Sequence, residues 1–109
     1  YEIHSGDTQS YFVVILTRRD RFHVDQCEIL PFINSKMNRN LLILHTTFDE
    51  SVKVDLLTSH HESGTEDAAS AARVEQLRLS FEQMANAPDD RVVLFGGDLN
   101  LREKELKKL

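Results

Sequence analysis

An α/β class, with a mixed, largely antiparallel sheet and one long helix, is predicted by three features of these 109 residues. Short segments rich in aromatic and β-branched residues recur along the chain, as strands do. One stretch, residues 66–85, repeats apolar side chains at helical spacing. That stretch lies between two strand-like segments, an order that can set both strands parallel.

Residues 11–17 (YFVVILT) are apolar at almost every position, which predicts a strand buried on both faces. Residues 26–32 (QCEILPF) make a second strand with Pro31 at its end or on an edge, because proline cannot donate to a ladder. Residues 41–48 (LLILHTTF) and 52–59 (VKVDLLTS) read as a pair joined by Asp49-Glu50-Ser51. In the second of them Val52, Val54 and Leu56 alternate with Lys53 and Asp55, so one face of its first half meets water. Residues 91–95 form the last strand. The short early connections favour antiparallel pairing.

Within the helix Val74, Leu77, Phe81 and Met84 make an apolar stripe, while Arg73, Glu75, Gln76, Arg78, Glu82 and Gln83 solvate the remainder. Thr65 reads as its N-cap, Glu66 and Asp67 face the positive end of the dipole, and Asn86 and Pro88 stop it. Residues 101–109 begin a further short amphipathic helix, its Lys104 to Lys108 part a solvated end.

Hydrophobic content of 40% and charged content of 28% are globular values. The net charge of −5 gives no footprint for non-specific nucleic-acid binding, so phosphate contacts must come from a few local cations. The single cysteine, Cys27, excludes an internal disulfide and fits a reducing compartment. No apolar run approaches the ~18 residues that suggest a membrane span, so a membrane partner is not expected.

The chemistry-bearing residues fall at two strand ends. "TSHHES" (58–63) follows one strand of the β–α–β step, and "LFGGDLN" (94–100) ends the other. Parallel strands end on the same rim, where α/β sheets bind ligands. Residues two apart on an extended chain point the same way, so His60 pairs with Glu62 and Asp98 with Asn100. A carboxylate there can deprotonate a water, and an amide and an imidazole can hold phosphate oxygens. Each piece taken alone is also ordinary: Gly-Asp after a strand is a common turn, and a strand-end histidine is commonly structural. The His-x-Glu of zinc deaminases is excluded, because those sites need two further thiolates and Cys27 stands alone.

"TSHHES", the intervening helix and "VVLFGGDLN" together resemble the exonuclease–endonuclease–phosphatase superfamily, whose hallmarks include Gly-Asp-x-Asn. The likeness extends through "EILPFINSKMNRNLLILH" (28–45), "LLTSHHES" (56–63) and "NAPDDRVVLFGGDLNLRE" (86–103). The segment from Lys36 to Asn40 points to the branch that cleaves 5′-phosphotyrosyl bonds on DNA. The resemblance implies part of a four-layer α/β sandwich and a Mg²⁺-dependent phosphodiesterase of the nucleus and cytoplasm. Its partners would be single-stranded DNA 5′ ends carrying a tyrosyl adduct, the remnant of a trapped topoisomerase II.

By the same resemblance Asp98 positions and deprotonates the attacking water, Asn100 holds the scissile phosphate and His60 contacts it. Tyr11 and Arg39 help form the groove for single-stranded DNA, Arg102 contacts the DNA end, and Glu62 supports the loop of His60. His61 stands where the family usually has leucine, and the family's Ser-Thr-Arg is replaced by the acidic stretch from Ser63 to Asp67. The family's Thr-Trp-Asn, Leu-Gln-Glu and Ser-Asp-His motifs do not occur here. Residues 1–109 are therefore expected to be the central portion of one catalytic domain, with the Mg²⁺ ligands mostly outside it and no activity in isolation. Other hydrolases of the superfamily (abasic endonuclease, deadenylase, phosphoinositide phosphatase) and a non-catalytic interaction domain are the competing readings.

Overall fold

The computed structural model describes residues 1–6 and 12–108, and its main sheet is organised by a tight turn at Asp49-Glu50. Both residues take positive φ, 47° and 68°. That is the type I′ geometry whose twist suits paired strands. Ser51 N–H closes the turn on the Phe48 carbonyl at 3.2 Å. Arg21 holds it from outside, donating to both Asp49 carboxylate oxygens at 2.5 and 2.6 Å while its guanidinium lies over the Phe48 ring.

The elements run β1 (Glu2–Ser5), β2 (Val14–Thr17), β3 (Phe22–Pro31), β4 (Asn40–Phe48), β5 (Val52–His60), α1 (Asp67–Ala85), β6 (Arg91–Asp98) and α2 (Glu103–Leu106). β1 and β2 form a separate antiparallel pair. The other four strands make one sheet in the order β3-β4-β5-β6. β3, β4 and β5 pair antiparallel, whereas β6 returns through α1 to lie parallel to β5. The mixed sheet and the β–α–β step are thus as the sequence predicts. No helix among the described residues is long and apolar enough to cross a membrane.

Phe32, Leu41, Ile43 and Leu57 form the centre of the core, with Leu30, Leu79, Met84, Val93 and Phe95 packed against it. The alternation of strand side chains puts Leu41, Ile43, Leu57, Val93 and Phe95 on one face of the sheet, towards α1.

Five local expectations are corrected. Residues 14–17 of the first predicted strand are not buried on both faces: Val14 and Leu16 are exposed. β2 belongs to a two-stranded sheet, and its short partner β1, polar at alternate positions, leaves no sequence signal of its own. Asp55 does not meet water but is buried, where it takes ion pairs from Arg91 at 2.7 Å and His45 at 2.9 Å. His45 reaches Glu28 with its other ring nitrogen at 2.5 Å. Burial opposes charge on His45, but the two carboxylates outweigh it and raise its pKa.

The helix face is the third correction. Phe81 is exposed, whereas Arg73 and Gln76, expected in solvent, are 1% and 0% exposed. Ala69, Ala72, Val74, Leu77 and Ser80 complete the buried side. The cap is the fourth: Glu66, not Thr65, precedes the first turn and makes no side-chain capping bond.

Arg73 goes inside because every direction it reaches holds an acceptor. It donates to the Glu105 carboxylate at 2.9 to 3.2 Å, to the Glu62 carbonyl at 3.1 Å and to the Gly64 carbonyl at 2.8 Å. Ser70 Oγ donates to the same carboxylate. Glu105, within the tail read as a solvated helix end, is fully buried. A buried ion pair with its remaining bonds satisfied survives where a lone charge would not.

Removing one partner strands the other. Glu105→Ala is expected to lower the unfolding free energy by about 3 kcal/mol, seen as a lower urea midpoint with an unchanged slope. Arg73 foremost holds the Glu105 carboxyl down to about 2 from an ordinary 4.5. The stability it contributes is therefore present above pH ~4.5 and lost as pH falls toward 2, and that part of the acid transition should vanish in the variant.

Candidate active site

The parallel register of β5 and β6 places His60 directly across from Asp98. His60 Nε2 and Asp98 Oδ2 are 3.5 Å apart, at the end of both strands. The Asp98 side chain is 66% exposed, open to a water or ligand. Ladder bonding extends one step past the pair, with His61 N–H donating to the Asp98 carbonyl at 2.9 Å.

Asn100 then turns back toward β5. It takes φ 51°, a left-handed conformation that asparagine tolerates better than most residues. Its N–H donates to Asp98 Oδ1 at 3.1 Å, and its Nδ2 donates to the His61 carbonyl at 2.8 Å. One N–H of the amide is used there, and a second remains for a ligand oxygen. His60, Asp98 and Asn100 thus share one rim.

Only glycine fits at position 97. A Cβ there would lie 2.3 Å from the Ser59 carbonyl oxygen, a collision with backbone, whereas one at Gly96 would meet nothing within 4 Å. Of the two glycines in "LFGGDLN", the second lets β6 close on β5 beside Asp98.

Glu62 faces inward and is buried. It accepts from Ser35 Oγ at 2.6 Å, from the Lys36 N–H at 3.0 Å and from Gln76 Nε2 at 3.4 Å. Ser35 Oγ in turn accepts from the Met37 and Arg39 N–H groups at 3.2 and 2.9 Å. The carboxylate is spent on holding the 35–39 loop, so any effect on a ligand passes through that loop. Arg39 is buried and donates to the His60 carbonyl at 3.3 Å, tying the loop to the rim from behind. Arg102 is exposed and donates to the Gly64 carbonyl at 3.1 Å. Tyr11 lies outside the described residues. Its neighbour Phe12 lines a small cavity with Val13, Arg39, Asn40 and His60, and over half of its surface is open.

Sequence reasoning missed three supports of this site. Gln76 clasps Glu62, accepting from its N–H at 2.8 Å as well as donating to its side chain, and Arg73 and Ser35 secure the same segment. A signal was available: Ala69, Ala72, Arg73, Gln76 and Ser80 recur at helical spacing as a stripe of small and hydrogen-bonding residues. An apolar stripe beside it drew attention away.

No protein-family model matches the chain. Among curated proteins it is 38% identical to tyrosyl-DNA phosphodiesterase 2 of Homo sapiens and 41% identical to that of Mus musculus, each over 99% of this chain. These residues are homologous to tyrosyl-DNA phosphodiesterase 2. The chain spans 29% and 28% of the length of those two relatives. The D. rerio tyrosyl-DNA phosphodiesterase 2 structure, complexed with a single-strand DNA product, superimposes with a TM-score of 0.92 at 38% identity, over 99% of this chain and 42% of that one. The C. elegans tyrosyl-DNA phosphodiesterase 2 gives 0.82 at 32% identity, over 96% and 32%. An endonuclease/exonuclease/phosphatase family protein from Bacteroides thetaiotaomicron gives 0.69 at 16% identity over 94% and 42%, a likeness of fold alone. The fold is that of the exonuclease–endonuclease–phosphatase superfamily.

The metal chemistry associated with tyrosyl-DNA phosphodiesterase 2 does not fit the described residues by themselves. They contain no group of three or more His, Cys, Asp or Glu side chains placed to hold an ion. What the rim can do alone is accept a proton at Asp98 and hold oxygens with Asn100 and His60.

The two glycines separate steric need from habit. Gly97→Ala is expected to cost about 1–3 kcal/mol by overpacking and to shift the amide resonances of Ser59, His60 and Asp98. Gly96→Ala should leave stability within about 0.5 kcal/mol and those resonances nearly in place.

Proposed function

We propose that the chain is the central portion of a phosphodiesterase domain that hydrolyses the bond between tyrosine and a DNA 5′ phosphate, in repair of ends left by trapped topoisomerase II. The observation that carries this reading is the rim itself: His60 across from Asp98, with Asn100 folded back on the His61 carbonyl. The homology to tyrosyl-DNA phosphodiesterase 2 along the whole chain supports the substrate, and the D. rerio complex supports single-stranded DNA as its polymer.

In this reading the open Asp98 carboxylate orients a water and takes its proton. The spare N–H of Asn100 and the His60 ring hold the non-bridging oxygens of the phosphate. A tyrosine phenol, with a pKa near 10, leaves far more readily than an alkoxide, so placing the water is the larger part of the task. Tyr11 and Arg102 flank the strand of DNA, and Arg39 and Glu62 keep the 35–39 loop in place beside it. Mg²⁺, which the described residues do not hold by themselves, would when bound supply charge neutralisation at phosphorus. The work belongs to the nucleus and cytoplasm.

The test is release of tyrosine from a 5′-phosphotyrosyl oligonucleotide. The intact enzyme bearing this segment is expected to release it with Mg²⁺ and to fall at least about 100-fold in rate with Asp98→Asn. The 109-residue chain alone is expected to give no turnover. Faster cleavage of abasic DNA or inositol phosphates by the intact enzyme would overturn the substrate. An unchanged rate in the Asp98 variant would overturn the site.

A further inference from the structure

We propose that His61 is a positioning residue for the Asp98–Asn100 pair: its main chain grips both, its uncharged ring plugs that grip into the core, and a proton on the ring releases it. The proposal rests on the site reading above.

The grip is direct. His61 N–H donates to the Asp98 carbonyl at 2.9 Å, and its own carbonyl accepts from Asn100 Nδ2 at 2.8 Å. Main-chain groups of one residue thus engage both members of the pair. Whatever fixes the backbone at position 61 therefore fixes the spacing between Asp98 and Asn100.

The ring does the fixing. It is 0% exposed, meets the Phe32 ring edge-on at 5.6 Å and lies tilted beside Phe95 at 6.1 Å. Those two phenylalanines belong to the core that holds the sheet to α1. Neither ring nitrogen has a hydrogen-bond partner among the described residues. A buried polar group without a partner is costly, and a buried charge without one far more so. An apolar side chain would fill the space without that penalty. The imidazole adds only a charge state that depends on pH.

The charged and titratable groups around it do not offset this. His60 on β5 disfavours a charge on the ring, and Asp98 on β6 favours one. Glu62, next in the chain, is committed to Ser35, Lys36 and Gln76. Arg39 from the loop reaches the His60 carbonyl, and Arg73 from α1 reaches the Glu62 carbonyl, both adding positive charge nearby. Burial dominates and lowers the ring's pKa to about 4 from an ordinary 6.5. The folded-state value is depressed, so the stability the neutral ring carries is complete above pH 6.5 and is lost as pH falls toward 4. The ratio of closed to open forms should drop about 30-fold by pH 5 and about 160-fold by pH 4. The segment that opens first is the one the ring plugs, which is the rim.

Hydrogen exchange on the 109-residue chain tests this, with His61→Leu as the comparison. The protection factor of the N–H at position 61 is expected to fall about 30-fold between pH 7.5 and pH 5 in the wild type, and less than about 3-fold in the variant. At pH 5 the Glu105 carboxyl has not begun to titrate, and the other histidines are common to both proteins, so the difference isolates position 61. Equal losses in the two, or none in either, would overturn the proposal. Should the variant fail to fold, the wild-type ring resonances decide: a titration midpoint near 4 with a concurrent shift of the Asn100 side-chain amide supports it, and a midpoint near 6.5 sinks it. In the intact enzyme the acid limb of kcat/KM should move about one pH unit lower in the variant, whatever its neutral rate. A limb that stays put while exchange changes would make His61 a packing residue only. None of the exchange or resonance readouts uses a substrate, so loss of the tyrosyl-DNA reading would show in turnover alone and be told apart from loss of this one.

Discussion

A single buried guanidinium ties the parts of this structure that do not touch through the sheet. Arg73 reaches outward from α1 to Glu105 on α2 and to the carbonyls of Glu62 and Gly64, in the strand-end segment that carries the rim. The apolar core centred on Phe32, Leu41, Ile43 and Leu57 includes no residue of α2 or of that segment. The arrangement is a constraint as much as a stabiliser. A buried ion pair adds little net stability over apolar packing, but it has one satisfied geometry, and any other leaves a charge stranded. The rim gains a fixed position from it.

The sheet supplies the other half of that position. Hydrogen-bonded register sets which residues face one another, and a slip of one residue would turn every side chain to the opposite face. Lys53 to His60 run opposite Arg91 to Asp98 without interruption, so the face that buries Leu57, Val93 and Phe95 also determines where His60 and Asp98 end up. Gly97 lets the ladder continue to its last pair by removing a Cβ that would strike Ser59. Core packing and site geometry are therefore one specification, read at two ends of the same strands.

Much of this was legible in the residues, and the failures share a cause. The β–α–β step, the antiparallel strands and the convergence of residues 58–63 with 94–100 followed from periodicity, short connections and the shared rim of parallel strands, which are local signals plus one general rule. Most of the misreadings are polar side chains that went inside: Arg73 and Gln76 on the helix, Asp55 on β5 and Glu105 in the tail. Periodicity sorts residues by hydrophobicity and cannot see that a partner waits across the fold. Arg73 and Glu105 are 32 residues apart, and Asp55 and Arg91 are 36 apart, so each looks solvated until the topology joins them. The opposite error, Val14 and Leu16 exposed where burial was read, arises because a run of apolar residues states a tendency and not which layer covers it.

The polar interior also explains the division of labour at the rim. Glu62 spends its oxygens on Ser35 and Lys36, Gln76 spends its amide on Glu62, and Arg73 spends its donors on backbone and Glu105. Each is fixed by several bonds and buried, so none faces a ligand. The groups left with capacity, Asp98 by its exposure and Asn100 by its second N–H, are the ones those residues hold in place. A site meant to meet a phosphate needs both kinds of residue. If the supporting groups were free, they would be mobile, and the reacting groups would lose the sub-ångström placement that near-attack geometry requires. Asp98 is open whereas Glu62 is buried and bonded, so burial and hydrogen bonds together assign the chemistry to the first carboxylate and the support to the second.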